Sequence, residues 1–139
     1  MELEPQNQSV KVYNFEVAEW HTYFVGLWMM LVHNLSCWQR VFFKAHPHLQ
    51  GKVVVHHAIE RQVFETKWPG LFEDAYKNSL ENLRGIPKEI NGEMHLSAIR
   101  KEWNEFYIEF KNKTPSKEDV LDYVKYIDDS YGHLFNPPL

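Results

Sequence analysis

The chain has almost no cysteine: Cys37 is the only one among its 139 residues. An internal disulfide needs two cysteines, and zinc sites built on four cysteines, or on two cysteines and two histidines, need at least two. Neither can form within this chain, so a metal site would use His, Asn, Asp or Glu. Folding therefore depends on an apolar core, for which 44% apolar residues, 5 Trp and 9 Phe suffice in a single domain.

Long hydrophobic runs and excess positive charge are also lacking. The longest apolar run, from Tyr23 to Val32, is about half the roughly 20 residues that a membrane-spanning helix needs. The N-terminus lacks a positively charged segment, so we expect no signal peptide of the usual kind. The formal net charge is −4, which disfavours nucleic-acid binding by bulk electrostatics alone. A local basic groove or a metal ion would have to attract any nucleic acid.

Hydrophobic spacing predicts an α+β fold. β-branched and aromatic residues predict short strands before residue 34, and residues 35–50 read as a connector. A valine-rich strand is predicted over residues 52–57 and a brief one over 82–86. Apolar residues at helical spacing predict helices over residues 58–68 and 94–111, and a last helix that a Ser116–Asp119 capping box opens and Gly132 closes.

Four polar side chains fall at the ends of these predicted elements. The valine strand ends in His56 and His57, Asn82 stands where a loop meets the brief strand, and His95 lies in the first turn of a helix. Neighbouring side chains of a strand point to opposite faces, so the two histidines can serve different roles. Neutral imidazoles suit a transition metal, and an imidazole that is not bound to metal can accept a proton from water.

This ordered set resembles the HNH/endonuclease VII superfamily, the ββα-metal nucleases. Within it, the set is most similar to the bacterial polymorphic-toxin branches in which an apolar residue precedes His-His. The similarity covers about residues 51–110 and rests on residues 55–63, 69–72, 79–87 and 95–107. It implies a ββα-metal nuclease core, with a segment of short strands before it and a helix after it.

The resemblance also implies a role for each of the four residues. His56 and His95 would ligate one divalent metal ion, and His57 would be the general base. Asn82 would fix its loop and orient the base, or approach the metal itself. Many relatives carry a further histidine where this chain has Ile99. With few protein ligands, Mg²⁺, Mn²⁺ or Ni²⁺ completed by water is favoured over tightly bound Zn²⁺.

Three cationic residues near these motifs are candidates for phosphate contacts: Arg84, Arg100 and Lys101. Of these, Arg100 is the strongest candidate, because it follows His95 by about one and a half helical turns of 3.6 residues each. For each of the three, a solvated surface charge is the alternative interpretation.

A second resemblance covers residues 1–34. Residues 12–17, 21–26 and 31–34 are similar to the C-terminal strands of a Hint domain, in which a final His-Asn pair performs asparagine cyclisation. Here residue 35 is Leu, whereas splicing requires Cys, Ser or Thr, so we expect His33 and Asn34 to be a structural remnant. The predicted organisation is a Hint-like remnant or linker over residues 1–34 and a nuclease domain over 35–139.

The resemblances together imply a metal-dependent endonuclease that cuts DNA with low sequence specificity. Its relatives are toxins, which are delivered into the cytoplasm of target cells and held inactive at home by an immunity protein. We expect no membrane contact. A catalytically silent domain that binds nucleic acid or a partner, an autoprocessing fragment that cyclises at Asn34, and an RNase remain the alternatives.

Overall fold

The computed structural model describes residues 22–25, 30–33 and 35–139. The chain divides into two compact units, Met1–Ser36 and Cys37–Leu139. In the first unit, strand β1 (Thr22–Val25) pairs antiparallel with β2 (Met30–His33). The strand predicted over residues 12–17, and Asn34 of the His-Asn pair, lie outside the described residues.

The second unit mixes helices with a two-stranded antiparallel sheet, so the predicted α+β class is confirmed. The predicted strands occur as β3 (Val53–His57) and β4 (Leu83–Pro87). The helices are α1 (Cys37–Ala45), α2 (Asp74–Lys77), α3 (Asn91–Glu93), α4 (Arg100–Glu109) and α5 (Lys117–Tyr131). Two wider π-helical turns span Val63–Lys67 and Met94–Ile99, and the second joins α3 to α4.

Residues 35–50 were predicted to be a connector, and this prediction is wrong over α1. The helix is amphipathic, and it buries Phe42 and Phe43. Phe42 packs against Gly85 of β4, where a Cβ atom would lie 2.8 Å from the ring. Because the buried face of α1 contacts a strand some forty residues later in the sequence, the residues around α1 alone gave little indication of the helix.

The core lies where the helical run 91–109 packs against α5 and the sheet. Trp103 and Phe106 of α4, Val120 of α5 and Ile86 of β4 are all buried in it. The predicted capping box is confirmed, because Ser116 Oγ accepts from the Asp119 backbone N–H and the Asp119 carboxylate accepts from the Ser116 N–H. No helix among residues 35–139 is long and apolar enough to cross a bilayer.

Helix α5 ends at Tyr131 and Gly132 follows it, so the predicted end of this helix is confirmed. Gly132 follows α5 with φ of −59°, in the right-handed region, and the chain continues into a 3₁₀ turn, Gly132–Leu134. Glycine is therefore not needed there for a left-handed cap. Its lack of a side chain leaves room for Leu139, whose Cβ would lie 2.9 Å from a Cβ at position 132.

Candidate functional site

The two histidines that end β3 are buried and face different surroundings. His56 and His57 are 4% and 7% exposed. The His56 ring meets the His95 ring edge to face, with centroids 4.4 Å apart, whereas the His57 ring lies 5.3 Å from that of Trp38. The alternation of side chains along the strand thus gives the two imidazoles different neighbours, which agrees with the prediction that they can serve different roles.

One open cleft brings both histidines together with His95. Its volume is about 320 Å³, and Glu60, Arg61 and Trp38 line it beside the three imidazoles. His57 and His56 pair across the sheet with Leu83 and Arg84. The antiparallel pairing places the end of β3 beside the loop that carries Asn82, and the π-helical turn Met94–Ile99 carries His95.

His56 has a buried nitrogen without a hydrogen-bond partner. Its Nε2 is one of three such side-chain atoms among the residues that the structure describes. Burial lowers the pKa of His56 well below its usual value, and the adjacent His95 and His57 lower it further. A neutral imidazole therefore offers a lone pair, and since buried polar groups are nearly always paired, this nitrogen is suited to a ligand.

His95 supplies the second imidazole at this point. Burial lowers its pKa, although the negative charge of Glu60 opposes that shift. The Glu60 carboxylate is held by the Tyr107 hydroxyl, which donates to Oε2 over 2.8 Å, and by the Gln62 amide. His95 is thus a neutral ligand candidate with a carboxylate nearby.

The donor set is compatible with one divalent cation, but it is small. His56 Nε2 is unpaired and His95 lies against it, whereas Ile99, one turn later, is an apolar residue of the core. Within the described part of the chain, no group of three or more His, Cys, Asp or Glu side chains could hold a metal ion. Two imidazoles fit a cation whose other ligands are water and phosphate, and not a closed four-ligand zinc site.

His57 lacks such a free nitrogen at Nε2, because that atom bonds Asn78 Oδ1 over 3.0 Å. Burial is the main cause that lowers the pKa of His57, and the Arg61 and Lys77 charges add to it, while the Asn78 bond opposes it. The ring is therefore neutral at pH 7, which is the state that a general base requires.

Asn82 clamps the loop and uses its whole amide group to do so. Its Oδ1 accepts from the Ile59 backbone N–H over 2.7 Å, and its Nδ2 donates to the carbonyls of Lys77 and Ile59 over 2.9 and 3.3 Å. The loop-fixing role that was predicted for Asn82 agrees with these bonds. The predicted orientation of the base differs, because the side chain bonded to His57 is Asn78.

The three predicted phosphate-binding residues have different surroundings. All three nitrogens of the Arg84 guanidinium are engaged, two with the Asp128 carboxylate and one with backbone carbonyls. Arg100 is exposed, and its charge is close enough to lower the pKa of His95. Lys101 is exposed on α4 and forms no ion pair with the described residues. Of the three, Arg100 is both exposed and near the imidazoles.

Arg61 and Trp38 are among the cleft residues to which the sequence analysis assigned no role in the site. The Arg61 guanidinium lies 5.2 Å from the centroid of the Trp38 ring, and its Nε and Nη2 donate to Glu65 Oε1 over 3.1 and 3.0 Å. The i,i+4 spacing of Arg61 and Glu65 could have indicated that pair. No local signal indicated Trp38, because its partner His57 comes from a distant strand.

Comparison of the chain with protein-family models, with curated proteins and with solved structures finds no match. Because an α+β fold alone supports many activities, the side chains of the cleft are the feature of this chain that indicates a function.

Proposed function

We propose that the unit Cys37–Leu139 is a metal-dependent endonuclease with an HNH-type ββα-metal core, which hydrolyses DNA phosphodiester bonds with low sequence preference. One observation carries this proposal. The unpartnered Nε2 of buried His56 lies beside His95 in the cleft that also holds the neutral imidazole of His57. A pair of ligands beside an unbound base is the combination that metal-assisted hydrolysis requires.

His56 and His95 would hold the cation, and His57 would accept a proton from the attacking water. When bound, a divalent cation supplies positive charge that offsets the charge of the transition state and of the leaving oxygen. His57 takes a proton from the attacking water as the water oxygen bonds to phosphorus and the bond to the leaving oxygen breaks. Arg61, in the same cleft, offers a planar cation for the non-bridging oxygens of the phosphate.

The biological setting that we propose rests on the resemblance to polymorphic toxins. The domain would act in the cytoplasm of a target bacterium and would be neutralised by a cognate immunity protein. Expression of the chain in a bacterial cytoplasm should lower colony counts, and the His57→Ala variant should not. Equal colony counts for both chains, at equal protein levels, would contradict the toxin role.

A catalytically silent domain that binds nucleic acid or a partner is the second candidate. It is favoured by the small donor set, because Ile99 occupies the position of a further histidine and is 1% exposed. Such a domain would bind metal or nucleic acid without cutting. The cleavage assay below separates it from the nuclease.

The decisive assay incubates purified protein with supercoiled plasmid in Mg²⁺, Mn²⁺, Ni²⁺, Zn²⁺ or EDTA. Wild type should nick and linearise the plasmid only with metal, and His57→Ala should be slower by about 10²- to 10⁴-fold, the usual contribution of a general base. His133→Ala is the matched control, because His133 is exposed in the turn after α5. An intact plasmid under every metal would refute the DNase, and parallel incubation with RNA tests the other nucleic acid.

Metal binding can be tested apart from cleavage by calorimetric titration with Mn²⁺ or Ni²⁺. His95→Ala should weaken the affinity by more than the roughly 10- to 100-fold that loss of an outer partner of a ligand costs. His133→Ala should leave the affinity unchanged. Equal affinities for wild type and His95→Ala would remove His95 from the site.

A further inference from the structure

We propose that Asn78 is the positioning residue for His57, which it holds in the tautomer that carries hydrogen on Nε2 and leaves Nδ1 as the basic nitrogen. This inference rests on the proposed nuclease function and deepens it. It assigns to Asn78 the orienting role that the sequence suggested for Asn82, and it names the nitrogen that accepts the proton from water.

The tautomer follows from the chemistry of the hydrogen bond. His57 Nε2 lies 3.0 Å from Asn78 Oδ1. A carbonyl oxygen can only accept, so Nε2 must carry the hydrogen. A neutral imidazole has a single N–H, and Nδ1 is therefore the nitrogen with the free lone pair.

The Asn78 amide also has a partner at its other end. Nδ2 donates to the Sγ atom of Cys37 over 3.4 Å, within the limit for a sulfur acceptor. In this orientation the amide oxygen faces the His57 ring and the NH₂ group faces the thiol. Cys37 is the first residue of α1, so the helix anchors Asn78.

The same helix also restrains the His57 ring. Trp38 follows Cys37, and its ring lies 5.3 Å from that of His57 with an interplanar angle of 57°. Arg61 covers Trp38. The imidazole is thus held by a hydrogen bond at one edge and by an aromatic ring against it, which limits its rotation about χ2.

This arrangement favours the transition state over the ground state. As Nδ1 takes the proton from water, the ring becomes positively charged, and the Nε2–H bond to Asn78 becomes charge-assisted and stronger. An interaction that strengthens as the reaction proceeds raises kcat and leaves substrate binding little changed. Loss of Asn78 should therefore lower kcat more than it alters KM.

A purely structural role for Asn78 is the competing explanation, because Asn78 also follows α2 as its C-terminal capping residue. Three variants separate the two. Asn78→Ala removes the acceptor, Asn78→Asp keeps an acceptor oxygen, and Asn104→Ala changes an exposed asparagine of α4 as the matched control. If Asn78→Ala does not fold, Asn78→Leu replaces it, since leucine fills a similar volume without an acceptor.

The first measurement is ¹⁵N-edited NMR of the metal-free protein. The His57 Nε2–H proton should be visible in wild type, in Asn78→Asp and in Asn104→Ala, and it should be lost to exchange with water in Asn78→Ala. This measurement does not depend on activity. Persistence of the signal in Asn78→Ala would overturn the proposed bond.

The second measurement is steady-state cleavage with the metal that supports activity. Asn78→Ala should lower kcat by about 10- to 100-fold, the usual effect of losing an orienting partner, with KM unchanged and with rescue by Asn78→Asp. An unchanged kcat would overturn the positioning role while the nuclease stands. If wild type cuts no nucleic acid, the proposed function fails, and the NMR signal still decides whether Asn78 fixes the tautomer.

Discussion

Replacement of Asn82 by alanine should lower the free energy of unfolding by about 3 kcal/mol. The side chain is 1% exposed, and it makes three hydrogen bonds to backbone groups. Its removal leaves the buried N–H of Ile59 without an acceptor, which alone costs about 1 to 3 kcal/mol, and it takes a donor from two carbonyl oxygens.

The Asn82→Asp variant tests the acceptor and the donor of the amide separately. The aspartate can still accept from the Ile59 N–H, but it places an oxygen where Nδ2 donates to the carbonyls of Ile59 and Lys77. The new oxygen would repel these carbonyl oxygens, and a single N–H bond does not offset the burial of a charged carboxylate, so this variant should be no more stable than Asn82→Ala. Asn104→Ala, on the exposed face of α4, should change stability by no more than about 0.5 kcal/mol.

Urea denaturation followed by circular dichroism measures these differences, provided that the slopes of the transitions agree. A loss below about 1 kcal/mol for Asn82→Ala would refute the clamp, because one unpaired buried N–H already costs that much. Metal titration at a temperature where the variant is folded tests the other predicted role of Asn82. Because its amide is occupied by backbone groups, affinity should be retained, and a large loss would assign Asn82 to the metal site instead.

Three further substitutions test the packing around the sheet, an open glycine position and the start of α5. Gly85→Ala should destabilise by about 3 kcal/mol, because its Cβ would overlap the carbonyl oxygen of Asn136 and approach the Phe42 ring to 2.8 Å. Gly92→Ala, where nothing lies within 4 Å, should instead stabilise by about 0.5 to 1 kcal/mol; equal effects of the two alanines in thermal melts would contradict this packing. Ser116→Ala should cost about 1 kcal/mol through loss of the cap, and an unchanged urea midpoint would show that the capping box is not stabilising.

Local signals in the sequence correctly predicted those elements of the second unit that depend on residues close together in the sequence. The valine run predicted β3, and the Ser116–Asp119 pair predicted the start of α5, because strand alternation and capping involve residues a few positions apart. Alternation also predicted that His56 and His57 face different surroundings. Helix α1 was missed, because its buried face matches partners that are remote in the sequence.

The sequence by itself determined which residue types were available: one cysteine, no large positive charge, and histidines at the end of a strand and the start of a helix. Only the tertiary structure decided which of them meet. It placed His95 against His56, paired Arg84 with Asp128, and put Asn78 at His57. The physical reason is that a side chain bonds whichever group the fold brings within about 3 Å of it, and periodicity along the chain does not encode that distance.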